Sequence, residues 1–188
     1  MKHATVKAFA LALGLLATSA FSNPVNAQEK TVMVGGAPMY PSKNIVQNAV
    51  NSKDHTTLVA AVKAAGLVET LQSPGPFTVF APVNKAFDQL PAGTVDNLLK
   101  PENKPMLTSV LTYHVVPGRL GSKELMDLVH AGGGKAMLKT VQGGQLTLMM
   151  KGKDLWVIDA KGGKAKVSTK DVFQSNGVIH VIDKVLMP

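Results

Sequence analysis

The sequence contains no cysteine among its 188 residues. That excludes disulfides, a thiolate nucleophile, a cysteine metal site and a lipid-modified cysteine behind a leader, so the fold has to rest on burial alone. Aromatic residues are also scarce, at 5%, with a single tryptophan. Few of them accompany the lysines and no DNA- or RNA-binding motif occurs, so nucleic acid is not an expected partner. The common enzyme signatures are missing: there is no GxSxG elbow and no HExxH helix. The GGGK at 132–135 is followed by Ala136 where a phosphate-binding loop needs Ser or Thr for magnesium. A non-enzymatic protein without a cofactor is the expectation. Beyond the N-terminus no apolar run reaches the length of about 20 residues that spans a bilayer, so no transmembrane segment is expected in the mature chain.

What is present begins with a leader. Lys2, His3 and Lys7 precede an apolar run over 8–16, and small residues lead to Val25-Asn26-Ala27. This reads as a secretory signal peptide, 1–27, cut after Ala27 and directing the chain to the periplasm or the medium. The remaining 161 residues suit one domain and carry 18 basic against 12 acidic side chains. The excess is concentrated late: 131–188 hold nine lysines against Asp154, Asp159, Asp171 and Asp183. Lys164 and Lys166 alternate with Ala165 and Val167, which places the lysines on one side of a strand. Lys151, Lys153, Lys164, Lys166 and Lys170 form the candidate basic surface. It reads either as a solvated face that deters strand pairing or as a patch for anionic glycans, lipid head groups or acidic proteins.

Three stretches organise the chain. Residues 75–87, GPFTVFAPVNKAF, hold a short β-branched and aromatic run, and Asn84 stands where it can cap the following helix. Residues 111–118 read LTYHVVPG, a strand from Tyr113 to Val116 ended by Pro117-Gly118. Residues 175–188, SNGVIHVIDKVLMP, give a turn at Asn176-Gly177 and a strand over 178–182 that is apolar on both faces apart from His180.

In this order the stretches resemble the fasciclin (FAS1) domain family over about 40–188. The resemblance implies an α+β fold, a single FAS1-like domain at 42–188 in which several short helices pack against an antiparallel β-wedge or sandwich. It implies an extracellular interaction module tied to adhesion, expected as a monomer with a protein, glycan or other anionic surface as partner. Some fasciclin-fold proteins of photosynthetic organisms bind carotenoids, so a carrier of an apolar small molecule is the alternative. Tyr113-His114 looks like the family's Tyr-His motif, which in animal members has been tied to integrin binding. A second animal motif, Glu-Pro-Asp-Ile-Met, falls on 169–173, where Asp171 matches and Val172 is similar.

Periodicity fills in the rest. Residues 28–41 read as an extended arm, and Ser42 opens a short helix. Asp54 or Thr56 caps a second helix with Leu58, Val59, Val62 and Ala65 on one stripe. Further helices are expected over 94–99, over 102–111 and from Ser122. Beyond the glycines at 132–134 the period changes to alternation, with strands near 137–138, 146–150, 155–158 and 165–168 joined by glycine turns. His114 and His180 interrupt apolar strands, and a neutral imidazole there can donate one hydrogen bond and accept another; a metal would need further ligands such as Asp171 and Asp183. His55 and His130 are expected at exposed helix ends. Adjacent strand residues point to opposite faces, so Met149 and Met150 cannot form one copper clamp, and Trp156 faces away from Leu155 and Val157.

Overall fold

The fold is that of a computed structural model, which describes residues 30–188. The expected leader at 1–27 and the first two residues of the expected arm lie outside them. The rest of the arm is a hairpin: β1 (Val32–Val34) pairs antiparallel with β2 (Ala37–Met39). Val34 and Met39 are buried, so this stretch is drawn onto the body by its apolar side chains.

A helical layer follows, with α1 (Ile45–Ala49), α2 (Thr56–Ala65) and α3 (Val68–Gln72). Asn44 caps α1 in a reciprocal box with Gln47, in place of Ser42. Leu58, Ala61, Val62 and Ala65 form the buried stripe of α2, which ends at Gly66 in the left-handed conformation, φ 73°. Neither Asp54 nor Thr56 caps α2. The Thr57 backbone N–H donates instead to Asn84 Oδ1 at 3.0 Å, and Asn84 Nδ2 donates to the Lys53 carbonyl at 2.8 Å. Asn84 was expected to cap its own helix, α4 (Asn84–Asp88), and it serves as a remote cap for α2.

Strand β3 (Phe77–Pro82) precedes α4, and α5 (Thr94–Leu98) and α6 (Lys104–Tyr113) lead to β4 (Val115–Pro117). Then come α7 (Ser122–Ala131) and the meander of β5 (Lys135–Lys139), β6 (Gln145–Lys151), β7 (Asp154–Ile158) and β8 (Lys164–Gln174), closed by β9 (Gly177–Ile182). The seven strands from β3 onward lie in the order β4-β3-β9-β8-β7-β6-β5. The sheet is mixed and not wholly antiparallel as expected: β3 and β9 run parallel, with Phe80 opposite His180. That pairing requires close backbones, since a Cβ on Gly177 would lie 2.2 Å from the Phe77 carbonyl oxygen.

The parallel pair divides two cores. Val79, Ala81, Ile179 and Val181 face the helical layer, with Leu58, Leu107 and Val110 above them. Phe80 and Ile182 face the other way, among Leu125, Leu146, Leu148 and Val157 beneath α7. A strand buried on both faces has to be apolar at nearly every position, as β3 and β9 are. Asn176 locks the junction: its Oδ1 accepts from Ile45 N–H at 3.0 Å, and its Nδ2 donates to the Leu71 and Ser73 carbonyls at 2.7 and 2.9 Å.

Candidate functional site

Tyr113 and His114 do not begin a strand. Tyr113 is the last residue of α6 and His114 its C-cap, because the His114 ring turns back on its own helix. Nδ1–H donates to the Val110 carbonyl at 2.8 Å, and Nε2 accepts from Leu186 N–H at 3.0 Å. The acceptor role of Nε2 fixes the proton on Nδ1. Burial holds this imidazole neutral and lowers its pKa to about 4. The Tyr113 hydroxyl donates to the Gln145 carbonyl at 2.7 Å and accepts from Ala160 N–H at 3.0 Å. Both side chains are buried. The pair joins α6 to β6, to the β7–β8 turn and to the C-terminal segment, with both side chains withdrawn from the surface.

Asp159, which the sequence did not single out, completes this knot. Its carboxylate accepts from the N–H groups of Lys161 and Gly163, at 3.0 and 2.7 Å, and of Met187, at 3.0 Å. The signal for it was the Asp-x-x-x-Gly turn alone, which says nothing of the distant Met187.

The second motif is only partly internal, with Lys170 and Phe173 exposed and Asp171 half-buried. Asp171 sits at an irregularity of β8, in the left-handed region with φ 60°, the one such non-glycine among the described residues. Its carboxylate accepts from the backbone N–H and the hydroxyl of Ser122 and so anchors the start of α7. Val172 is buried in the helical core. His180 Nε2–H donates to the Leu120 carbonyl at 2.8 Å, and its ring stacks on Phe80 with centroids 5.8 Å apart. Burial lowers its pKa. His55, expected at an exposed helix end, is also buried; its Nδ1 meets Ser52 Oγ at 2.9 Å, and burial lowers its pKa. His130 is exposed as expected. Among the described residues no group of three or more His, Asp or Glu gathers as metal ligands.

The lysines face outward. Lys151 on β6 and Lys164 and Lys166 on β8 share the outer face of the meander, while Leu148, Val157, Ala165 and Val167 fill its inner face. Lys153 lies in the β6–β7 turn and Lys170 beyond Ser168, next to the β8 irregularity, so these two flank the face. Lys135 and Lys139 on β5 extend it, and the alternation in KAMLK carried that signal. Its acidic member is Asp154, 2.8 Å from Lys166 Nζ. A second feature lies between the helical layer and β3: an apolar cavity of about 80 Å³ lined by Leu58, Val62, Leu71, Phe77, Val79 and Ile179. That is about half the volume of an engineered cavity known to admit benzene, roughly 150 Å³. No helix among the described residues is long and apolar enough to cross a membrane.

The Fasciclin domain model matches residues 53–188. Protein sll1483 of Synechocystis is 47% identical over 161 residues, 85% of this chain and 82% of that protein. The cell surface glycolipoprotein MPB83 of Mycobacterium bovis is 38% identical over 145 residues, 74% of this chain and 58% of that longer protein. Among solved structures, a FAS1 domain pair from the insect cell adhesion molecule fasciclin I superposes with a TM-score of 0.70 at 18% identity, over 86% of this chain and 59% of that one. At that identity the likeness concerns the fold.

Proposed function

This chain belongs to the fasciclin domain family, and from that premise we propose that it is an exported, non-enzymatic adhesion and interaction module working at the cell envelope or outside the cell. The observation that carries the reading is the division of labour among its polar groups. Tyr113, His114, Asp171 and His180 hold the fold from within, whereas the lysines of the meander stand outward on a rigid sheet. A lysine-fringed face attracts anionic partners and speeds their encounter. A relative named for the cell surface and a fold shared with an adhesion molecule support the same reading.

The test is adhesion itself. Beads coated with the mature chain should bind cells of the native host, and binding should fall as salt is raised from low concentration to about 0.5 M, where the screening length shrinks to a few ångströms. No binding above that of uncoated beads would overturn the proposal. The apolar cavity supports a second reading, carriage of a small apolar molecule. At about 80 Å³ the cavity is smaller than one that admits benzene and far smaller than a carotenoid, so a carried molecule has to widen it. Native mass spectrometry of protein taken undenatured from its host separates the two, since a carrier keeps a reproducible added mass.

A further inference from the structure

The outer face of the meander is more than basic. The register aligns Lys135, Met149, Trp156 and Lys166 in one row across four strands. The next row is Met137, Thr147, Ile158 and Lys164. Met137 is 71% exposed, and Met149, Trp156 and Ile158 are partly so. The first row is closed at both ends by lysines and the second runs from the exposed Met137 to Lys164, so Lys135 on β5 and Lys164 and Lys166 on β8 flank an apolar centre. Met and Trp at the centre with charge at the rim is the anatomy of a protein-recognition patch.

Geometry narrows the occupant. Four strands about 4.8 Å apart give a row roughly 14 Å long, which about ten residues of α-helix match, with side chains returning every turn of about 5.4 Å. An extended segment laid on a sheet face would leave its own backbone groups desolvated and unpaired; a helix satisfies them internally. A bilayer is a poorer fit, because Met149, Trp156 and Ile158 lie partly buried in the face and cannot insert past head groups. Sugars need aromatic platforms in series, and this chain has one tryptophan. A second copy would bring lysines against lysines.

We propose that this face docks an acidic amphipathic helix of a partner protein. The helix lays its apolar stripe on Met137, Met149, Trp156 and Ile158 and sets carboxylates toward Lys135 at one end and Lys164 at the other. The inference rests on the interaction-module reading and adds the partner's chemistry to it.

Trp156 is the sole tryptophan and therefore reports from the centre of the site. The probe is a synthetic 18-residue helix of Leu, Ala and Glu, with Leu at i, i+3, i+4 and i+7 and Glu on both flanks. Titration into the mature chain should shift Trp156 emission to the blue and saturate. Lys135→Glu with Lys164→Glu should weaken binding at least about tenfold, and Met137→Ser with Met149→Gln at least about fivefold, consistent with truncation at an interface centre. Lys166 is left in place because it pairs with Asp154. Far-ultraviolet circular dichroism and unchanged melting establish that each variant folds, and if the second pair does not, Met137→Ser alone replaces it at a site 71% exposed. Absence of saturable binding overturns the proposal, as does equal binding of polyglutamate or of phosphatidylglycerol vesicles. The bead assay with the same variants separates the two readings. Adhesion that the variants leave intact refutes this face and keeps the module, whereas no adhesion by any form refutes the module.

Discussion

Acid should loosen this protein through His114, and the size of the effect follows from its two hydrogen bonds. Nε2 accepts from Leu186 N–H, so protonating it forces two donors together in a buried site. The unfolded chain takes up this proton below about 6.5, whereas the folded chain resists until about 4. The contribution is therefore fully present above pH 6.5 and is lost as the pH falls toward 4, with stability declining by about 1.4 kcal/mol per pH unit in between and by about 3 kcal/mol in all. His180 and His55, also lowered by burial, act in the same direction.

His114→Gln isolates the effect. A glutamine oxygen can accept from Leu186 N–H but does not titrate, so the variant should be less stable at pH 7 by about 1–3 kcal/mol. Urea unfolding followed by Trp156 fluorescence at pH 7, 6, 5 and 4.5 gives both curves. The difference between wild type and variant should shift by about 2–3 kcal/mol in the variant's favour across that range, closing or reversing the gap, since all other titrating groups are common to both. Parallel curves would refute the reasoning. So would an NMR titration in which the His114 ring of the wild type protonates near 6.5, a measurement that stands even if the glutamine variant fails to fold.

Asn176→Ala should cost about 3 kcal/mol or more, because it removes three hydrogen bonds joining α1, α3 and the β8–β9 turn and strands buried backbone groups; urea denaturation measures it. Asp171→Ala should cost about 1–2 kcal/mol, like the loss of a helix N-cap, and amide exchange should rise first in the opening turn of α7. A uniform rise in exchange across the chain would contradict a local anchor.

What the sequence made legible were the features written in side-chain period. β3 and β9 were readable because a strand buried on both faces is apolar throughout, and the meander because Lys164-Ala165-Lys166-Val167 and its neighbours alternate between glycine turns. Hydrogen-bond partners were not, because an acceptor carries no sign of how far its donor lies. Asn84 stands where a local cap would stand and caps α2, 27 residues back. Tyr113-His114-Val115-Val116 has strand composition, yet the helix runs on through Tyr113 because His114 can close it on Val110. His55 looks like a helix-end residue until Ser52 and the helical core enclose it. The hairpin at Val32–Met39 was missed because three-residue strands, one containing Pro38, are too short to show a period.

The same distinction separates fold from partner. The residues that mark the chain as a fasciclin domain are those whose polar atoms are engaged inward: Tyr113 on β6, His114 on the C-terminal segment, Asn176 on α1, His180 on Leu120. A group whose hydrogen bonds are already made within the core cannot also select a ligand without unfolding its surroundings. Recognition then has to reside in residues outside the core, and the meander's outer rows of lysine, methionine and Trp156 are such residues, since it is their inward neighbours Leu148, Val157 and Ala165 that join the core. On this argument two fasciclin domains can share every motif and bind different partners. Exchanging only the outer-row residues between them should transfer the partner and leave the melting temperature nearly unchanged.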